Sequence, residues 1–302
     1  MNVTALAGGV GGAKLLQGLA AVADELTAIV NTGDDAEIYG VHVSPDVDIV
    51  SYWLAGIADF SRGWGIADDT FTIVDTLGEL GVDNWFSLGD RDFATCLLRT
   101  ERLRSGESLS AITDDIRRAL GVGTRILPMS DDTVRTRLVT TEGKTLEFQE
   151  YFVRLRHEPD IIEVQFAGIS DAKPAPGVLE AIDRADRVIV CPSNPLLSIG
   201  PILALPEVRD VLRRHPTVTA VTPIVAGAAL KGPADRLLAS TGMEVSAWGV
   251  AAMYADFLDR FVLDALDASE VGRVEELGIE AVAVDTIMTD VAASKRLARA
   301  LL

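Results

Sequence analysis

The chain has 302 residues, 48% of them hydrophobic, which is enough to fill the core of one large α/β domain or two smaller ones and excludes a disordered chain. A formal charge of −18 without a basic stretch argues against a nucleic-acid partner, so an anionic ligand must be held locally by backbone amides, a few arginines or a metal ion. No run of about 18 uncharged apolar residues suggests a membrane span, "MNVTALAGG" lacks the form of a signal peptide, and the cysteines Cys96 and Cys191 read as core thiols of a cytoplasmic protein.

In chain order, a strand at about Val3–Ala7 runs into Gly8, Gly9, Gly11 and Gly12 and then into an apolar helical pattern over Gly11–Ala23. Glycines at a strand-to-helix turn let an anion approach the exposed amides of the helix N-terminus. A P-loop would require Gly-Lys-Ser/Thr, but Lys14 stands between Ala13 and Leu15. A dinucleotide turn would require a third glycine where Lys14 sits, so Gly9, Gly11 and Gly12 are candidates for a phosphate in neither standard form. A second strand, Leu26–Val30, leads to "NTGDD", where Asn31, Asp34 and Asp35 suit a ribose, a metal ion or a plain turn.

Asp46 and Asp48 follow Pro45 or lie close behind it in "SPDVDIVSYWLAG". Carboxylates in a first helical turn cap the helix, or hold a hard cation between them. Similar groups recur as Asp68 and Asp69 in "RGWGIADD", and as Asp90 and Asp92 flanking Arg91 in "SLGDRD", a fork suited to a carboxylate or phosphate. The histidines His42, His157 and His215 are scattered, so Mg²⁺ on carboxylates is expected in preference to zinc. Residues 59–156 read as a mostly helical insertion or cap, with a hairpin in "RLVTTEGKTLEFQEYF". Strand–loop–helix units then return. "RVIVCPSNPLLSIGPIL" offers Ser193, Asn194 and Ser198 as a second anion loop, "TVTAVTPIVAGAALKG" carries Lys231, and "IEAVAVDTIMTD" precedes a last helix over Val291–Leu302. The pattern predicts one doubly wound, Rossmann-like α/β domain over residues 1–302, with ligands at the carboxyl ends of a mostly parallel sheet.

Together, "GGVGGAKLL", "NTGDD", "SPDVDIVSYWLAG", "RGWG", "LGDRDFATCLLRT", "LPMSDD", "FQEYFVR", "APGVLEAI", "PSNPLLSIGPIL", "TPIVAGAALKGPAD" and "MTD" resemble the 2-phospho-L-lactate transferase family, whose bacterial branch includes phosphoenolpyruvate transferases. The resemblance implies transfer of a phosphoacid from its GDP-activated form to the deazaflavin alcohol Fo, in the synthesis of coenzyme F420, with Mg²⁺, release of GMP and a homodimeric enzyme. It implies that Asp48 contacts Fo or the metal and serves catalysis, that Arg91 binds Fo, and that Asp68 is a second metal ligand. Gly9, Gly11, Gly12, Asn31, Asp34, Asp35, Ser193, Asn194, Ser198 and Lys231 would serve the nucleotide phosphates. Two rival readings are a non-catalytic nucleotide-sugar-binding regulator of the gluconeogenesis-factor type, which "SPDVD" and "LGDRD" oppose, and an NAD-dependent dehydrogenase, which the missing glycine opposes.

Overall fold

A computed structural model describes all 302 residues. Seven strands form one parallel sheet: β1 (Asn2–Ala7), β2 (Glu25–Val30), β3 (Arg125–Pro128), β4 (Arg187–Val190), β5 (Val218–Val221), β6 (Arg260–Asp264) and β7 (Glu280–Val284), in the spatial order β3-β2-β1-β4-β5-β6-β7. This is the doubly wound α/β arrangement read from the sequence, and the strand order reverses between β1 and β4. Both sheet faces are covered, so Val3–Ala7 and Val188–Val190 are buried at consecutive positions rather than alternate ones. Val3, Ala5 and Ala7 join one core with Leu15, Leu16 and Leu19, whereas Leu6 enters the opposite core with Ile29, Val188 and Val190.

Three helices shape the region above β1: α1 (Gly9–Ala20), α2 (Pro45–Leu54) and α3 (Asp90–Arg104); a fourth, α4 (Val291–Leu301), closes the chain against α1. Helix α1 begins two residues before the expected start, because Gly9 at φ +62° already turns the chain out of β1. The stretch 59–156 divides in two. Its helices at Thr72–Glu79, α3 and Leu109–Ala119 precede β3, the edge strand of the main sheet, and an antiparallel sheet of Arg135–Thr140, Thr145–Glu147 and Ile161–Ala167 follows. Short strands hidden among charged residues, such as "RILP" and "RFVLD", carry too few residues to show a period, so neither β3 nor β6 stands out in the sequence. No helix is long and apolar enough to cross a membrane.

A hairpin of Ala36–Ile38 and Val41–Val43 reverses the chain after "NTGDD" through Tyr39 and Gly40, at φ +53° and +78°. Two positive-φ residues suit the right-handed twist of a tight hairpin. The reversal delivers Pro45 to the first turn of α2 and returns Asp46 to the glycine turn. Along the α1–α4 seam, a Cβ on Gly18 would fall on the Ser294 carbonyl, inside van der Waals distance. Alanine is ordinarily the better helix former by about 1 kcal/mol. Gly18→Ala is nevertheless expected to lower the thermal midpoint by several degrees, through about 1–3 kcal/mol of overpacking; an unchanged midpoint in a melting curve would refute the tight seam.

Candidate active site

The carboxyl ends of β1 and β4 meet at the reversal of strand order, where an open α/β sheet leaves a crevice for ligand. The two loops leaving these strands are bonded to one another. The Ser193 hydroxyl donates to the Gly8 carbonyl at 2.7 Å and accepts the Gly8 N–H at 3.2 Å. Gly11 permits this approach, since a Cβ there would collide with the Pro192 carbonyl, and one on Gly12 would crowd Ser193 Oγ. Asn194 Oδ1 accepts the N–H groups of Leu196 and Leu197 at 3.0 Å each, shaping its own loop. Ser193 and Asn194 therefore hold the cradle together, while the buried Ser198 lies against Gly8.

Asp46 and Asp48 point different ways, because residues two apart on a helix are separated by about 200°. The Asp46 carboxylate meets the start of α1: Oδ1 accepts the Gly9 N–H at 2.8 Å and Oδ2 accepts Asn31 Nδ2 at 3.0 Å. Burial pushes the Asp46 carboxyl up to about 6, against the pull of those two donors. Asp48 faces α3, where the Arg99 guanidinium grips both of its oxygens, Nη1 to Oδ2 at 3.0 Å and Nη2 to Oδ1. Both partners are buried, and Arg99 also donates to the His42 carbonyl at 3.2 Å. Burial raises the Asp48 carboxyl while Arg99 opposes the rise.

Asp92, Cys96 and Arg99 share a face of α3, at spacings of about one helical turn. Potential ligand atoms of Asp48, Asp92 and Cys96 all lie within 4.8 Å of one another. The Tyr52 hydroxyl donates to Asp92 Oδ1 at 2.8 Å, and burial, reinforced by the Asp48 charge, raises Asp92 to about 7. Nearby, Asp35 accepts from Ser44 at 2.8 Å and contacts His42 Nε2 at 2.9 Å. Asp34 is buried with Oδ1 lacking any partner, and desolvation, then the Asp46 charge, raises its carboxyl well above the ordinary range.

Two lysines lie near the start of α1. Lys231 Nζ donates to the Arg62 carbonyl at 3.4 Å, and Lys14 Nζ donates to the Met288 carbonyl at 2.9 Å. Burial and then the nearby Lys231 charge lower the Lys14 ammonium, so the two lysines share one side of the α1 entrance. Arg91 is exposed at the start of α3, with Nη1 donating to the Ala67 carbonyl at 3.3 Å. Asp69 accepts the Arg91 N–H at 3.0 Å and the Asp92 N–H at 3.2 Å, capping α3, whereas Asp68 is exposed at φ +56° outside the Asp48–Asp92–Cys96 group. The structure thus gathers Gly9, Gly11, Gly12, Asn31, Ser193 and Ser198 at one cradle, and ties Asp48 to Arg99 beside it. Sequence reasoning passed over Arg99 as a partner, Asp46 as the group on the glycine turn, and Lys14 as a cation near the start of α1. An arginine inside the apolar run "CLLRT" was the one available sign of Arg99.

A folded-state acid raised above its ordinary value of 3.8 keeps a proton that the unfolded chain releases, so its contribution to stability is lost as pH rises through that window. In metal-free buffer, Asp92→Asn, which retains the acceptor for Tyr52, is expected to remove part of the stability decline between about pH 4 and pH 7. Equal slopes for variant and parent in pH-dependent melts would show that Asp92 ionises normally. Arg99→Leu strands a buried carboxylate and is expected to cost about 3–5 kcal/mol in urea unfolding, with Asp48→Asn on the same chain recovering part of the loss.

The profile of the family described as "2-phospho-L-lactate transferase CofD" matches residues 3–300. The chain is 46% identical to a phosphoenolpyruvate transferase of Kitasatospora aureofaciens, over 99% of this chain and 96% of that protein. It is 43% identical to a 2-phospho-L-lactate transferase of Methanosarcina mazei, over 96% of each. Among solved structures, a UPF0052-family protein from Bacillus halodurans, BH3568, superposes with a TM-score of 0.65 over 99% of this chain and 98% of that one, at 16% identity, a likeness of fold alone.

Proposed function

The chain belongs to the 2-phospho-L-lactate transferase CofD family, and we propose that it moves a phosphoacid from its GDP-activated form to Fo in coenzyme F420 biosynthesis. The observation that carries this reading is the near-full-length identity to transferases of two donor names, 46% to a phosphoenolpyruvate transferase and 43% to a 2-phospho-L-lactate transferase. In the proposed reaction the ribityl hydroxyl of Fo attacks the phosphorus bearing the phosphoacid. The anhydride bond to GMP breaks, GMP leaves with the bridging oxygen, and the hydroxyl proton is released.

Such a displacement needs alignment and charge neutralisation more than covalent chemistry. The first-turn amides of α1 suit the donor's phosphates, with Lys14 and Lys231 at their edge. An arriving phosphate competes with the Asp46 carboxylate for the Gly9 N–H. Arg91 and Asp48 are proposed to serve Fo, and Asp48 to accept the proton of its hydroxyl.

Mg²⁺ is the proposed cofactor. Asp34, Asp35, Asp46, Asp48 and Asp92 are buried with Arg99 as the sole buried arginine or lysine, and one Asp34 oxygen has no partner. That hard, under-neutralised donor set fits a hard divalent cation, whereas the Cys96 thiol, raised by burial, does not. Asp34 and Asp46 would hold the ion beside the glycine turn, and Asp48 and Asp68 are proposed as further ligands. Bound there, it would neutralise charge on the transferred phosphoryl group. A homodimer is proposed from family membership.

The test incubates the protein with Mg²⁺, Fo and, separately, the GDP-activated forms of phosphoenolpyruvate, 2-phospho-L-lactate and 3-phosphoglycerate. Mass spectrometry is expected to find GMP and one new phosphodiester, which also names the donor. Product in none of the tubes, with Fo fluorescence unperturbed by protein, would favour a non-catalytic nucleotide binder. Asp48→Asn is expected to reduce kcat at least tenfold; full turnover with normal metal affinity would remove Asp48 as the proton acceptor.

A further inference from the structure

The glycine turn already holds an anion of the protein's own. Asp46 Oδ1 lies 2.8 Å from the Gly9 N–H, at the N-terminus of the 12-residue helix α1, where the first-turn amides favour negative charge. The seat is close-fitting. A Cβ on Gly8 would fall 2.4 Å from Asp46 Oδ2 and 2.7 Å from Ser198 Cβ, so the carboxylate is packed into the turn itself.

The two oxygens of Asp46 are held differently. Oδ2 accepts Asn31 Nδ2 at 3.0 Å, and Asn31 is itself pinned: Nδ2 also donates to the Leu197 carbonyl at 3.3 Å, while Oδ1 accepts the Gly33 N–H at 2.8 Å. Loss of the Gly9 amide would therefore release Oδ1 and leave Oδ2 anchored on a wholly buried asparagine. A second oxygen is available beside it. Asp34 Oδ1 is buried without a partner, and the Asp34 carboxyl feels the Asp46 charge directly. Neither acid forms an ion pair, since the buried Arg99 is committed to Asp48.

A phosphate arriving alone must take the Gly9 N–H from Asp46 and then stand beside two buried carboxylates with no positive charge between them. A phosphate arriving with a divalent cation meets neither obstacle, because the oxygen that loses its amide gains the cation. We propose that Asp46 couples the two ligands at the glycine turn, so that a phosphate group and a divalent cation bind as a pair and a phosphate alone binds weakly. The inference deepens the transferase reading and rests on it for the identity of the phosphate, which is the donor's. It gives the turn an internal competitor that keeps simple anions out until the metal-loaded ligand arrives. By linkage, the nucleotide raises the affinity for the cation by the same factor that the cation raises the affinity for the nucleotide.

Calorimetry on the full chain with GDP and with inorganic pyrophosphate, each in EDTA and in Mg²⁺, tests the coupling. The parent is expected to bind both about tenfold more tightly with Mg²⁺ than in EDTA. Asp46→Ala removes the competitor and its charge together. In EDTA it should bind both anions about tenfold more tightly than the parent, and most of the Mg²⁺ enhancement should vanish. Asp46→Asn keeps an acceptor for the Gly9 N–H and removes only the charge, so it should fall between the two. A gain in anion affinity cannot come from misfolding, which separates release of the turn from damage. If neither variant binds either anion more tightly than the parent in EDTA, the coupling is overturned, and turnover with Fo stays as the separate test of the transferase reading. Should Asp46→Ala fail to fold, an Asp46→Asn protein with parental affinity in EDTA overturns it equally. A gain for pyrophosphate, with GDP bound by no form of the protein, would uphold the coupling and overturn the GDP-activated donor instead.

Discussion

Folding removes a group of carboxylates from water and supplies one guanidinium to meet them. Asp34, Asp35, Asp46, Asp48 and Asp92 all end buried around the carboxyl ends of β1 and β2, and Arg99 is engaged by Asp48 with both guanidinium nitrogens. A buried pair of this kind roughly balances its own desolvation at best. It does little for the other four acids, which are left to hydrogen-bond donors, to protons, or to a cation from outside. The raised Asp46 and Asp92 follow directly from that shortage, as does the unpartnered oxygen of Asp34. The strongly negative composition is therefore concentrated inside the site as well as spread over the surface.

The same constraint explains why the glycine turn is shared. A helix N-terminus attracts a carboxylate as readily as a phosphate, and Asp46 reaches Gly9 because the Tyr39–Gly40 hairpin folds α2 back over the turn. Ser193 fixes the β4 loop to the opposite side. The cradle is held in shape by its own side chains, with the amides of α1 aimed at its centre. Such pre-arrangement reduces the ordering required when a ligand arrives.

Much of this was legible before the fold was known, for identifiable reasons. An apolar strand entering a glycine cluster is a local pattern, and the unit from β1 to β2 emerged within a few residues of its bounds. Asp46 and Asp48 were legible as residues and illegible as directions. Which one faces the turn depends on where α2 packs, and the partner of Asp48 lies 51 positions away. Arg99 gave no sign of its role beyond being a charge among apolar neighbours, since a long-range contact leaves no period. Strands β3 and β6 failed for a different reason, being four and five residues long, too short to show an alternation. The family series supplied what local patterns could not, because its segments come in a fixed order over nearly the whole chain.

The seam between Gly18 and Ser294 has a consequence in time. Helix α1 begins at the chain's glycine turn, yet one flank of it is covered only by α4, the last helix, and Lys14 is tethered by the Met288 carbonyl just before it. During synthesis the glycine turn can form locally, but its apolar flank stays wet until residues 276 positions downstream have been made. Contacts this distant close late and slow the search for the native state. Until then the turn would have its sequence but not its support, so the earliest-made part of the site is among the last to become rigid.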